Sequence, residues 1–135
     1  MDLLFSNPYI NIRLHPGPPH NTLEIQWLDF VPSADFRASM REMLHLARLH
    51  QVQAWVVDNR LIRAMRTADL AWSGTEVILP MSDLGVRRFA GVESQDAMNR
   101  MGVTALLADA IPGTQITSRF FPTVEEARAW ATEPF

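Results

Sequence analysis

Four consecutive apolar residues, Ala54-Trp55-Val56-Val57, end in Asp58 and lie between two segments of helical periodicity. A short unbroken apolar run of this kind reads as a strand covered on both faces, as in a parallel sheet packed between helices. The rest of the chain is read around it. Tyr9–Leu14 alternates, with Ile10, Ile12 and Leu14 against Asn11 and Arg13, and Leu23–Trp27 repeats the pattern with Leu23, Ile25 and Trp27 against Glu24 and Gln26. Both are period-two, half-buried strands. The proline-rich HPGPPHN between them is turn chemistry, so the pair is expected to form an antiparallel hairpin.

Helical patterns follow. Ser33 is placed to cap a helix running to about His50, with Asp35 in its first turn and Phe36, Met40, Met43, Leu44 and Ala47 inward. Thr67 is placed to cap a second, with Asp69 in its first turn, Leu70, Gly74, Val77, Ile78 and Met81 buried, and Pro80 and Gly85 ending it. Val86–Val92 reads as a strand. Ser94 and Asp96 open a third helix, expected to turn Met98, Met101, Ala105 and Ala108 inward. Ile116–Phe121 is a last strand, and Thr123 with Glu126 forms a capping box for a fourth helix carrying Val124, Ala127 and Trp130. The order β-β-α-β-α-β-α-β-α predicts an α/β fold. Its mixed sheet has about five strands, the N-terminal hairpin antiparallel and the later β-α units parallel with right-handed crossovers, and about four helices.

Composition excludes several classes. The 135 residues suit one domain, and 47% apolar with 20% charged residues is ordinary for a globular chain. A net charge of -3 lacks the cationic footprint that phosphate backbones require, so no nucleic-acid partner is expected. All the basic residues are Arg, and there is no Cys, hence no disulfide, thiol nucleophile or thiolate metal site. Asp2 stands where a signal peptide carries positive charge, and Asn7-Pro8 interrupts the apolar stretch; with no membrane-length apolar run, a cytoplasmic protein without an integral membrane segment is expected.

The strongest candidate site is the stretch after the Ala54–Val57 strand. Ligands of open α/β sheets favour the carboxyl ends of parallel strands near helix starts. Asp58, Asn59 and Arg60 belong there, with Arg63 and Arg66 close by and Thr67 at the next helix start, a place where an anion or an acidic partner segment could dock. Thr67 has a plainer role as the N-cap. Trp55, Trp72 and Met65 are placed to line an apolar pocket, the alternative to plain core packing. His45 and His50 are five residues apart and diverge around a helix, and His15 and His20 flank the proline-rich loop, so no metal site is expected. Ser73, in AWSGTE, lacks a nucleophile elbow, and Glu125 and Glu126 are explained by a helix first turn. No cofactor motif is present.

Dispersed marks add a resemblance: Trp27, Phe36-Arg37, VVDNR at 56–60, Asp69 with Trp72, RRFAGV at 87–92 and FFPTVEEARAW at 120–130. In their order and spacing they resemble small bacterial proteins of the STAS and CRAL-TRIO-like group, with the SpoIIAA-like fold, across residues 1–135 as a single domain. The resemblance implies a non-catalytic binding or regulatory module for a protein partner or a small ligand, with a homodimer possible. Its alternative is a small apolar-ligand or lipid carrier of the CRAL-TRIO-like type. In anti-sigma-factor antagonists of the STAS type a phosphorylated Ser sits where a strand meets a helix; here that turn reads NRLIRAM, without Ser, Thr or Gly, so that switch is not implied.

Overall fold

A computed structural model describes residues 1–135. The sheet has six strands in sequential order: β1 Asp2–Ser6, β2 Ile10–His15, β3 Thr22–Trp27, β4 Ala54–Asp58, β5 Arg88–Val92 and β6 Thr117–Phe121. β1, β2 and β3 pair antiparallel, and β3 through β6 pair parallel. The expected hairpin is present, with Ile12 opposite Ile25 and Leu14 opposite Leu23. The strand beyond the expected five is β1, an edge strand whose register shifts between Leu3 and Phe5. Three apolar residues in a row and a bulge remove the alternation by which a strand is read.

The helices are α1 Ser33–Leu49, α2 Thr67–Ser73, α3 Leu79–Asp83, α4 Ala97–Ala110 and α5 Val124–Thr132. α2 and α3 are joined through a wide π-type turn, Gly74–Ile78, into one helical segment, giving four segments. Pro80 therefore does not end the second helix. It has no N–H to give to the preceding turn, and the chain accommodates it just after the wide turn instead of breaking.

Two apolar layers result. On one face, Ile10, Ile12, Leu23, Ile25, Trp55, Val57 and Phe89 pack against α1, the α2–α3 segment and α4. On the other, Ala54, Val56, Ala90 and Val92 pack against Val124, Ala127 and Ala131 of α5 alone. This is the two-sided covering that the Ala54–Val57 run requires.

Three local expectations are corrected. Ser33 is the first helical residue rather than the cap, and its hydroxyl donates to Asp69 Oδ2 at 2.6 Å, tying α1 to α2. The capping box at α5 is half present: Thr123 Oγ1 accepts from the Glu126 N–H. On α4 the predicted face is reversed. Met98 and Met101 are each 68% exposed, Ala105 and Ala108 are also exposed, and Asn99, Val103 and Leu107 point inward. Gly102 lets the helix approach Leu70 closely, since a Cβ there would lie 2.7 Å from Leu70 Cδ1. α4 is apolar nearly all round, so periodicity does not select its buried side.

Candidate functional site

β4 delivers Asp58 to the carboxyl end of the sheet, where it is buried. Its Oδ1 accepts from the Arg60 backbone N–H at 3.1 Å and from Arg60 Nε at 3.0 Å, and its Oδ2 accepts from Arg60 Nη2 at 2.9 Å. The hydrogen bonds that Arg60 donates to Asp58, then the Asp58 charge, raise the Arg60 guanidinium above its ordinary value. Asp58 thus closes a turn on its own chain, and Arg60 saturates it. Asn59, also buried, donates its N–H to Val92 O at 2.9 Å and joins the ends of β4 and β5.

The loop that follows is held from the β5–α4 connection and the first turn of α4, not from α2. Ser94 Oγ donates to Ile62 O at 2.6 Å, Asn99 Nδ2 donates to Arg63 O at 3.0 Å, and the Gln95 N–H reaches Arg60 O at 3.4 Å. Ile62 is buried in the core as an anchor, while Leu61 is 53% exposed and Arg63 and Arg66 lie at the surface. The helix start beside the corner is α4, whose cap is Asp96, accepting from the Asn99 N–H. Arg63 Nε meets Asp29 Oδ1 at 3.3 Å, but both side chains are about two-thirds exposed and such a pair contributes little. Arg66 has no ion-pair partner.

Two expected members of the site are relocated. Thr67 is not the cap of α2: Arg66 occupies that position in extended geometry, and the Thr67 hydroxyl makes no hydrogen bond. Thr67→Ala is therefore expected to change unfolding free energy by less than about 0.5 kcal/mol in chemical denaturation, where loss of a true cap costs about 1 kcal/mol. Trp72 lies away from the loop, edge-on to Phe36 at 6.1 Å and beneath the guanidinia of Arg37 and Arg41. Arg37 Nε in turn donates to Asp69 Oδ1 at 3.1 Å.

Trp72 is likewise absent from the apolar cavity expected of it. That cavity, about 60 Å³, is lined by Trp55 and Met65 as anticipated, with Trp27, Phe36, Ile62 and Phe89 among its other walls. The Trp55 indole N–H is buried without a protein acceptor. No cluster of three or more His, Asp or Glu side chains is arranged to hold a metal ion.

One charged cluster has no counterpart in the sequence reading. Glu24, on the α5 side of β3, is 2% exposed. It accepts from Arg128 Nε at 2.6 Å and Nη2 at 2.8 Å, and His15 Nε2 lies 2.8 Å from its Oε1. Burial alone would raise this carboxyl; hydrogen bonds from Arg128 and His15, with their charges, outweigh it and hold Glu24 at about 2. Glu24 and Arg128 are 104 residues apart, and only the strand order brings them together.

The mixed six-stranded sheet with three helical segments on one face and α5 on the other has the SpoIIAA-like fold that the sequence resemblance implied. No family model matches the chain, and no curated protein matches it. Among solved structures it is similar to an uncharacterised protein of the DUF3478 family with a SpoIIAA-like fold, from Shewanella loihica PV-4. The likeness spans 95% of this chain and 98% of that one, with a TM-score of 0.64 at 16% sequence identity. At that identity the likeness establishes the fold. No helix is long and apolar enough to cross a membrane.

Proposed function

We propose that the chain is a non-catalytic, cytoplasmic binding module with a regulatory role, whose 59–66 loop docks a protein partner bearing acidic and apolar side chains. One observation carries the reading. The loop backbone is fastened by buried Asn59, Ile62, Ser94 and Asn99, yet Leu61, Arg63 and Arg66 face solvent. A loop ordered before binding loses little entropy on capture, and exposed Arg with a neighbouring aliphatic residue suits an acidic and apolar partner surface. Arg60 is not part of the contact, because Asp58 occupies it.

The carrier alternative is favoured only by the unpartnered Trp55 N–H beside the cavity. A cavity of about 60 Å³ is far below the roughly 300–1,000 Å³ of ordinary small-molecule sites. A protein partner is therefore the better reading.

The test is a comparative capture. The protein and its Leu61→Ser/Arg63→Glu/Arg66→Glu variant are used as baits in lysate of the source organism, and any prey retained only by the parent is purified and titrated directly. A prey whose affinity falls at least tenfold in the variant, with melting temperature unchanged, is expected. Equal retention by both baits would remove the loop from the reading.

A further inference from the structure

Arg87 and Arg88 lead into β5, and Arg119 lies on β6. The parallel register sets Arg88 opposite Thr117 and Ala90 opposite Arg119, so Arg88 and Arg119 project from the same sheet face, two residues apart along it. α5 returns over this face, and the rings of Trp130, in its last turn, and of Phe135, after its end, lie among the guanidinia. Arg88 and Arg119 stand 5.1 and 5.2 Å from the Trp130 ring, and Arg87 and Arg88 stand 4.7 and 4.8 Å from that of Phe135. His20 stacks on Phe135 at 4.3 Å, with its Nε2 2.7 Å from Ala131 O. The arginines, with Gln115, Thr117 and Trp130, line an open cleft of about 380 Å³.

None of these three arginines makes an ion pair, unlike Arg60 with Asp58, Arg128 with Glu24 and Arg37 with Asp69. Those pairs each set a guanidinium on a carboxylate; here three guanidinia gather with no carboxylate within ion-pair distance. Arg88 is committed to structure, donating to Trp130 O at 2.8 Å, Glu133 O at 2.9 Å and Pro134 O at 3.2 Å, which fastens the end of α5. Arg87 and Arg119 are exposed, and neither side chain makes a hydrogen bond to protein. The rings hold the like charges together by attraction to their π faces but supply no negative charge. A multiply charged anion with several acceptor oxygens complements such a set, and Arg forks match phosphate in geometry.

We infer that this cleft binds the phosphate group of a small phosphorylated molecule, with Arg87 and Arg119 as the gripping residues and Arg88 as the fixed positive floor. The cleft is at the amino ends of β5 and β6, the opposite end of the sheet from Asp58, and stands independently of the partner-docking loop.

Calorimetric titration of the full chain with inorganic pyrophosphate, at ionic strength matched with chloride, tests the assignment. Saturable one-site binding is expected, weakened at least tenfold in Arg87→Gln/Arg119→Gln and unchanged in Arg63→Gln/Arg66→Gln, which removes the same charge at the other end. A second arm uses phosphatidylcholine vesicles with and without phosphatidic acid. Binding that requires phosphatidic acid and is lost in Arg87→Gln/Arg119→Gln identifies a lipid headgroup as the source of the phosphate, and binding of pyrophosphate alone identifies a free solute. Should the double variant fail to fold, Arg87→Gln alone, which leaves both guanidinia on Trp130, is expected to weaken binding at least threefold. Absence of saturable binding in both arms, binding by Arg87→Gln/Arg119→Gln equal to the parent's, or an equal loss in the Arg63→Gln/Arg66→Gln control overturns the assignment.

Discussion

Glu24→Gln is expected to destabilise the protein by about 3 kcal/mol at pH 7 and by almost nothing at pH 2. The Glu24 carboxyl titrates at about 2, against an ordinary value of 4.5. At about 1.4 kcal/mol per pH unit that gap corresponds to about 3 kcal/mol. The sign follows from the lowered value: the contribution is complete above about pH 4.5, where the unfolded chain is also ionised. It is lost as pH falls through the folded value, below which both states bind the proton. The parent protein should therefore lose stability steeply between about pH 4.5 and 2, and the Gln variant should be flatter there. Arg128→Ala acts on the other partner and is expected to cost about 3–5 kcal/mol, because it strands a carboxylate that is 2% exposed with only His15 beside it. Urea denaturation of the three proteins across pH 2–7 measures all of this. Parallel curves for parent and Gln variant would show that Glu24 does not sense its protonation through folding.

The same pair marks the boundary of what the sequence discloses. Ile10, Ile12, Leu14, Leu23, Ile25 and Trp27 all lie buried, as their alternation predicts, because period two reports which side faces the core. Alternation says nothing about what covers the opposite side, so Glu24 reads as a solvent residue until α5 is laid over the sheet. Ser33 and Thr67 illustrate a related loss. Each has the chemistry of a cap, but Ser33 finds Asp69, 36 residues away, and Thr67 falls one position inside its helix. The corner at Asp58 was legible because strand end, turn and loop are contiguous in the chain. What holds its loop was not, since Ser94 and Asn99 arrive from the next crossover. The arginine cleft was hidden for the same reason: its members come from two strand starts and a helix end, and the sheet register alone assembles them.

Trp27→Ala is expected to cost about 3–5 kcal/mol and to lower the melting temperature by roughly 10–20 °C, as judged from truncations of large buried aromatics. Trp27 closes β3, is 3% exposed and stacks on Phe36 at 5.4 Å, so its ring joins the sheet to α1. Phe36 meets Trp72 edge-on, which extends the aromatic contact to α2. Trp27→Phe keeps a ring against Phe36 and should recover more than half of the loss. A loss below about 1 kcal/mol for the Ala variant would mean that β3 does not end against α1. The substitution also probes the cavity, because Trp27 forms part of its wall. Removing the indole enlarges a space of about 60 Å³ that is too small for a ring of benzene size, and apolar cavities near 150 Å³ bind benzene. Benzene should therefore raise the melting temperature of Trp27→Ala and leave the parent unchanged. Stabilisation of the parent to the same extent would mean that the resting cavity already admits such a ring, and would turn the functional reading from a docking module toward a carrier of small apolar molecules.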